Sequence, residues 1–216
     1  MILYGSSISP FVRKVIAFAG EQGTAIEVKP IGIRSDDPAF RAASPFAKIP
    51  ALVDGDFGLS DSSAIIHYLD ALKPGSGLIP IEARARGRTI WFDEWADTLL
   101  FGCGAKMFFN RIVAPMFLGR DGDLSVADRA EQEELPPLMD YLEGQIPASG
   151  FLVDDRITLA DLAVASPLVN FDHLGLDLAA WPKVRAYAAA IHARPSLAAT
   201  IDAEKAMFSR RRAAKA

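Results

Sequence analysis

Apolar and polar positions change rhythm part-way along the 216-residue chain. At first, short runs rich in β-formers alternate with helical patterns. Ile2-Leu3-Tyr4 reads as a short buried strand and Gly5-Ser6-Ser7-Ile8 as a loop. Ser9 then Pro10 marks a helix start, with serine at the cap and proline where its missing N–H costs nothing. Val12, Val15, Ile16 and Ala19 recur at helical spacing, and Gly20 and Gly23 close the segment. Ile26-Glu27-Val28 alternates as a second strand. The polar stretch from Arg34 to Lys48, broken by Pro38 and Pro45, predicts a loop with at most a helical turn. A hairpin follows: strand Ala51-Leu52-Val53, turn Asp54-Gly55, returning strand Phe57-Gly58-Leu59. Ser60 or Asp61 caps a helix with apolar face Ala64, Ile65, Tyr68, Leu69 and Leu72, ended by Lys73-Pro74-Gly75. The order β-α-β then β-β-α predicts a parallel right-handed crossover and an added antiparallel strand.

Past a linker rich in proline and glycine, Pro74 to Pro80, the pattern is almost purely helical. Arg84 to Asn110 is long and amphipathic, with Ile90, Trp91, Trp95, Leu99 and Phe108 among its apolar members. Asp128 to Leu142 forms a second helix. Thr158 to Leu174 forms a third, so apolar that it must be central. Trp181 to Ala193 is a fourth, opened by Pro182 and stopped before Pro195, and Ser196 to Phe208 a last, surface helix. Thr158 and Asp161 are spaced as a capping box, and Ile157 and Leu162 as its hydrophobic staple. That pattern is a folding signal rather than a catalytic pair. The expected organisation is an α/β domain over 1–76, a linker over 77–83 and an all-helical domain over 84–216.

Composition narrows the possibilities. Hydrophobic residues make up 50% and charged residues 23%, which excludes disorder as the default. A net charge of −4 argues against a nucleic-acid partner. The basic cluster Arg210-Arg211-Arg212 with Lys215 reads as a frayed, solvated tail. No apolar run reaches the roughly 18 residues of a membrane span, so no membrane association is expected. Arg13-Lys14 follows the first apolar stretch, contrary to a secretory leader, and a cytoplasmic location is expected. One cysteine, Cys103, allows neither an internal disulfide nor a Cys-x-x-Cys site, and reads as a helix-packing residue. His67, His173 and His192 are scattered, and no Gly-rich phosphate loop is present. No metal, nucleotide or flavin is expected. Any chemistry must then come from hydroxyls, backbone groups and a substrate that brings its own reactive atom.

Two blocks carry a specific resemblance. Lys48-Ile49-Pro50-Ala51-Leu52-Val53-Asp54-Gly55-Asp56, followed by Leu59-Ser60-Asp61-Ser62-Ser63-Ala64-Ile65-Ile66-His67-Tyr68-Leu69, resembles the N-terminal domain of glutathione S-transferases. Ser9-Pro10-Phe11-Val12-Arg13-Lys14-Val15 looks like the start of that family's first helix. The resemblance spans essentially the whole chain and points to serine-type, bacterial-like members related to the tau, theta and zeta groups. It implies a thioredoxin-like α/β domain followed by a helical domain, a cis Ile49-Pro50 bond, and glutathione as co-substrate with no resident cofactor. An edge segment ending at Ile49 suits backbone pairing with an extended peptide. Asp61 is expected to meet the glutathione ammonium. Ser62 and the helix start are expected to meet the γ-glutamyl carboxylate, and Lys48 the glycyl end. Spacing alone would make Asp61 and Ser62 simple caps.

Glutathione must be deprotonated to react, and a thiol near pKa ~8.5 is mostly protonated at neutral pH. A hydroxyl donor with the positive end of a helix lowers that value. Ser9 is preferred for this role over Ser6, with Tyr4 a structural aromatic. Phe11 is expected beside the substrates, with Met107, Phe108 and Arg111 on the side of an electrophilic second substrate. The resemblance also implies a detoxifying homodimer. Two alternatives stand beside the transferase: a non-catalytic binding module of the same fold, and a glutathione-dependent isomerase. Ile8 stands where the isomerases carry cysteine, which weakens the latter. Serine at position 9 disfavours thiol–disulfide exchange.

Overall fold

The computed structural model describes residues 1–32 and 35–213. Arg34, at the start of the expected loop, Lys215 of the basic cluster and the last residues of the expected helical domain lie outside that range. The first half runs β1 (Ile2–Tyr4), α1 (Pro10–Gln22), β2 (Glu27–Lys29), α2 (Pro38–Ala43), β3 (Ala51–Asp54), β4 (Phe57–Ser60) and α3 (Ser62–Leu72). The sheet order is β2-β1-β3-β4, with β1 parallel to β2 and antiparallel to β3, and β3 antiparallel to β4. Strand alternation divides the faces. Leu3 and Leu52 join the main core, while Tyr4 and Ala51 pack with Phe40 and Ala43 of α2 on the other side. The α2 helix is longer than the expected turn because Asp37 caps it, accepting from the Ala39 and Phe40 amides, and Pro38 takes the first position.

The buried face of α3 differs from the expected stripe. Ile65, Ile66 and Leu69 are buried, whereas Leu72 is exposed. Gln22 of α1 donates to the Leu69 carbonyl, beside the Lys73 amide that caps the helix there. Within the connecting segment Leu78 and Ile79 are both buried, and the Leu78 carbonyl accepts from the Leu159 amide.

One helical path then extends beyond Asn110. It is α-helical over α4 (Ala83–Trp95), α5 (Phe101–Phe108) and α6 (Ala114–Phe117), with wide π-type turns over Ala96–Leu100 and Phe109–Val113. The second wide turn precedes Pro115, and rewinding the hydrogen-bond ladder there lets a proline follow without a stop. The next path behaves the same way: α7 (Leu124–Arg129), a wide turn over Ala130–Glu134, then α8 (Leu135–Gln145) carrying Pro136 and Pro137. It starts earlier than Asp128 because Asp123 caps it. α9 (Leu159–Leu174), α10 (Pro182–His192) and α11 (Pro195–Ala213) complete the chain.

The capping box of α9 is present as its spacing predicts. Asp161 accepts from the Thr158 and Leu152 amides and from the Thr158 hydroxyl, and the Tyr187 hydroxyl lies 3.3 Å away. α11 is not a mere surface helix: Leu197, Ile201, Glu204 and Phe208 are buried. Its basic end is no frayed tail either. Arg210 to Arg212 are helical, and Arg211 donates to the Met116 carbonyl while lying 4.3 Å from the centre of the Phe117 ring.

Two cations of α1, Arg13 and Lys14, are completely buried. Arg13 donates to both carboxylate oxygens of Glu204, to Asn170 Oδ1 at 2.9 Å and to the Ser166 carbonyl. Lys14 reaches Asp93 at 2.7 Å and Asp97 at 2.6 Å on the long helical path. Both tie the α/β half to the helical half.

Replacing Asp161 with alanine strands the Thr158 and Leu152 amides inside the core. Asp161→Ala is expected to cost about 2–4 kcal/mol in urea unfolding, well above a surface substitution. A loss below about 0.5 kcal/mol would show that the box is not a structural anchor.

Candidate active site

Sheet register places the sequence-predicted residues together. Tyr4 pairs with Lys29 and Ala51, and Ala51 pairs with Ser60. The segments beyond these four residues therefore meet at one end of the sheet. They are the Gly5–Ser9 loop, the turn after β2 with Ile31 and Gly32, the Lys48–Pro50 approach to β3, and the Asp61–Ser62 start of α3. Ile49-Pro50 is cis, as the resemblance implies. Neither the amide nor the carbonyl of Ile49 has a hydrogen-bond partner among the described residues.

A cavity of about 610 Å³ opens at this end, between the sheet and the helical half. Ser6, Ser9 and Ile49 form its sheet-side wall, and α5, α6 and α9 form the other. Ser9 caps α1 by position, yet its hydroxyl accepts no helix amide. Neither the Ser6 nor the Ser9 hydroxyl bonds to another described residue. Both face the cavity at the amino end of a 13-residue helix, where the helix dipole favours negative charge. The opposite wall is aromatic: Phe101, Phe108, Phe109, Phe117 and Phe171. Gly104 allows α5 to approach α9, since a Cβ there would sit 2.7 Å from Phe171 Cε1.

Of the three residues expected on the second-substrate side, only Phe108 lines the cavity. Met107 is fully buried in the core, and Arg111 is committed to Asp128 at 2.7 Å and to Glu131. Helical spacing brings 101, 104, 105 and 108 to one face. The wide turn then delays that face to 113 and 117, leaving 107 and 111 elsewhere. Phe11 lies outside the wall and backs it, its ring centre 4.4 Å from that of Phe101. Cys103 is buried, and burial pushes its thiol up to about 11, so it is no nucleophile.

Asp61 caps α3 by accepting from the Ala64 amide at 3.0 Å. Its φ of 84° is unusual for a residue with a side chain, and such strain concentrates at functional positions. Ser62 is nearly buried, with its hydroxyl 3.4 Å from Asp97. Lys48 is exposed, and its backbone is held by the Ser44 hydroxyl. Behind Asp61 lies an acidic pocket that sequence patterns miss. Asp93 and Asp97 share Lys14, with the Ser63 hydroxyl 2.8 Å from Asp93. Burial, and then Asp93 and Asp61, push the Asp97 carboxyl up to about 6 against the pull of Lys14.

Comparison with known proteins identifies the arrangement. The model described as "Glutathione S-transferase, N-terminal domain" matches residues 3–77, and "Glutathione S-transferase, C-terminal domain" matches 122–190. The chain belongs to the glutathione S-transferase family. It is 33% identical over 211 residues to glutathione S-transferase 3 of Zea mays, covering 93% of each. The structure of glutathione S-transferase III in apo form superposes with a TM-score of 0.78 at 32% identity, covering 94% of this chain and 95% of that one. Glutathione S-transferase I from mais, in complex with an atrazine glutathione conjugate, gives a TM-score of 0.82 at 25% identity, covering 93% of this chain and 96% of that one.

The Asp97 carboxyl has a pH consequence with a definite sign. Its folded value lies above the ordinary 3.8, so its contribution to stability is complete below about pH 4 and is lost as pH rises through about 6. The stability of the unmodified protein minus that of Asp97→Asn should fall by up to about 3 kcal/mol across that window. A difference that rises with pH would show that Lys14 dominates instead.

Proposed function

We propose that the Ser9 hydroxyl donates a hydrogen bond to the sulfur of bound glutathione, with Ser6 a second donor, and that the thiolate attacks an electrophile held in the phenylalanine-lined cavity. The observation that carries this is the pair of unpartnered hydroxyls facing the cavity at the amino end of α1. Relatives named glutathione S-transferases cover nearly the whole chain, and its function is glutathione transfer.

Glutathione lies across this end of the sheet in this reading, its backbone pairing with the amide and carbonyl of Ile49. Lys48 takes the glycyl carboxylate and Asp61 the ammonium. The first turn of α3 takes the γ-glutamyl carboxylate, through its backbone amides and Ser62. The conjugate bound by the maize enzyme fits an apolar, aromatic class of electrophile, which these phenylalanines favour. No resident cofactor is needed, because the sulfur arrives with the substrate. The protein acts in detoxification in the cytoplasm, and among the described residues no helix is long and apolar enough to cross a membrane. It works as a homodimer. Trp95 is in the core, but Trp91 and Leu99 are about half exposed on the same helical path, which offers apolar surface to a second copy.

Ser9→Ala should raise the thiol pKa of bound glutathione, read by thiolate absorbance, by about one or more. Ser6→Ala should move it less. The reverse ranking would transfer the role to Ser6, and no shift in either variant would remove serine activation altogether.

Light scattering at micromolar concentration should give about twice the 23.3 kDa of one chain. A mass of one chain would refute the dimer.

A further inference from the structure

The loop that carries both serines is held from the helical half by a buried polar chain. Asn170 of α9 donates from Nδ2 to the Ile8 carbonyl at 3.3 Å, between Ser6 and Ser9 in the chain. Its Oδ1 accepts from Arg13 Nη2 at 2.9 Å, which fixes which way the amide faces. Arg13 is in turn gripped by Glu204 of α11 through two nitrogens, at 3.2 and 2.8 Å. His173 Nε2 lies 2.8 Å from the same carboxylate. The Ser7 hydroxyl is a further hydrogen-bonding neighbour of Glu204. Two of the four residues from Ser6 to Ser9 are thus tied to helices far along the sequence, and the other two present free hydroxyls to the cavity.

We infer that Asn170 is a positioning residue for thiol activation: held by Arg13 and Glu204, it pins the Ile8 carbonyl and so fixes where the Ser6 and Ser9 hydroxyls point. The inference rests on the reading that this loop meets the sulfur of glutathione. A hydrogen bond to a developing thiolate is effective only if the donor is already oriented, because reorientation during the reaction weakens it. Asn170 also lines the cavity, but its two amide atoms are both engaged within the protein. Its action therefore passes through the loop.

Asn170→Asp is the sharpest variant. It keeps an acceptor for Arg13 and removes the donor to Ile8, at almost unchanged volume. Asn170→Ala removes both and serves as the second variant should the first fold poorly. Two readouts are needed. Hydrogen exchange on the glutathione-free protein reports the tether, through the Ser9 amide that bonds the Ser6 carbonyl. Thiolate absorbance of the binary glutathione complex reports the chemistry without any electrophile.

Faster exchange at Ser9 is expected, together with a thiol pKa raised by about one. The kcat should be about tenfold lower at acidic pH and recover at alkaline pH, while KM for glutathione changes little. Unchanged exchange overturns the tether. Faster exchange with an unmoved thiol pKa, or a loss of rate equal at all pH values, overturns the positioning role. If Asn170→Asp raises the thiol pKa while Ser6→Ala and Ser9→Ala both leave it unmoved, the tether stands. The serine reading then falls, and the loop acts through its backbone.

Discussion

The Arg13 guanidinium is charged, wholly removed from water and satisfied by acceptors from α9 and α11, and the relation between the two halves of the molecule depends on it. Burial pulls its pKa below the ordinary arginine value, and Glu204 opposes that pull. For Glu204, burial pushes the carboxyl up, but His173, Arg13 and Ser7 outweigh it and hold the carboxylate ionised. Each charge is tolerable inside only because the other is there. Removing one partner of such a pair strands the other, at about 3–5 kcal/mol. An apolar contact between α1 and α9 would tolerate sliding by a fraction of a turn. A forked guanidinium with fixed acceptors does not.

That constraint was invisible in the sequence for a definite reason. Arg13 and Lys14 interrupt the apolar series Val12, Val15, Ile16 and Ala19 just where a solvent-facing stripe belongs. They are buried because a second domain covers that face, and periodicity within one helix carries no information about what docks on it. The same limit explains Asp93 and Asp97, which look like the polar side of an amphipathic helix and instead close over Lys14. Local signals fared better. The Ser9-Pro10 start, the Thr158 and Asp161 box and the Asp54-Gly55 turn act within a few residues, and each folds as its spacing predicts. The edge carrying Lys48 to Ser62 was legible through its motif. The far wall was legible only at Phe108, because a wide helical turn displaced the periodicity that would have predicted Val113 and Phe117.

The cavity sets polar and apolar groups against each other across a short distance. Its sheet-side wall offers two hydroxyls and the Ile49 backbone, none of them paired among the described residues, suited to a peptide-like anion. Its helical wall offers phenylalanine faces and edges that prefer an uncharged partner. Phe208 of α11 meets both Phe108 and Phe117 edge-on, so the aromatic wall is braced from behind by the same helix that carries Glu204. Cleft shape and loop geometry thus share one support.

Translation order gives this support a consequence of its own. Residue 13 is made 191 positions before its carboxylate partner, which lies on α11. Until α11 emerges, Arg13 lacks the Glu204 carboxylate and has only the neutral acceptors of α9 to meet it. The nascent α/β half must therefore either hold that side chain in water or wait in a looser state. Native packing of α1 is completed only once α11 has been made. A chain cut before α11 would lose far more than a surface helix, because the part already made would keep a buried cation with no counter-ion.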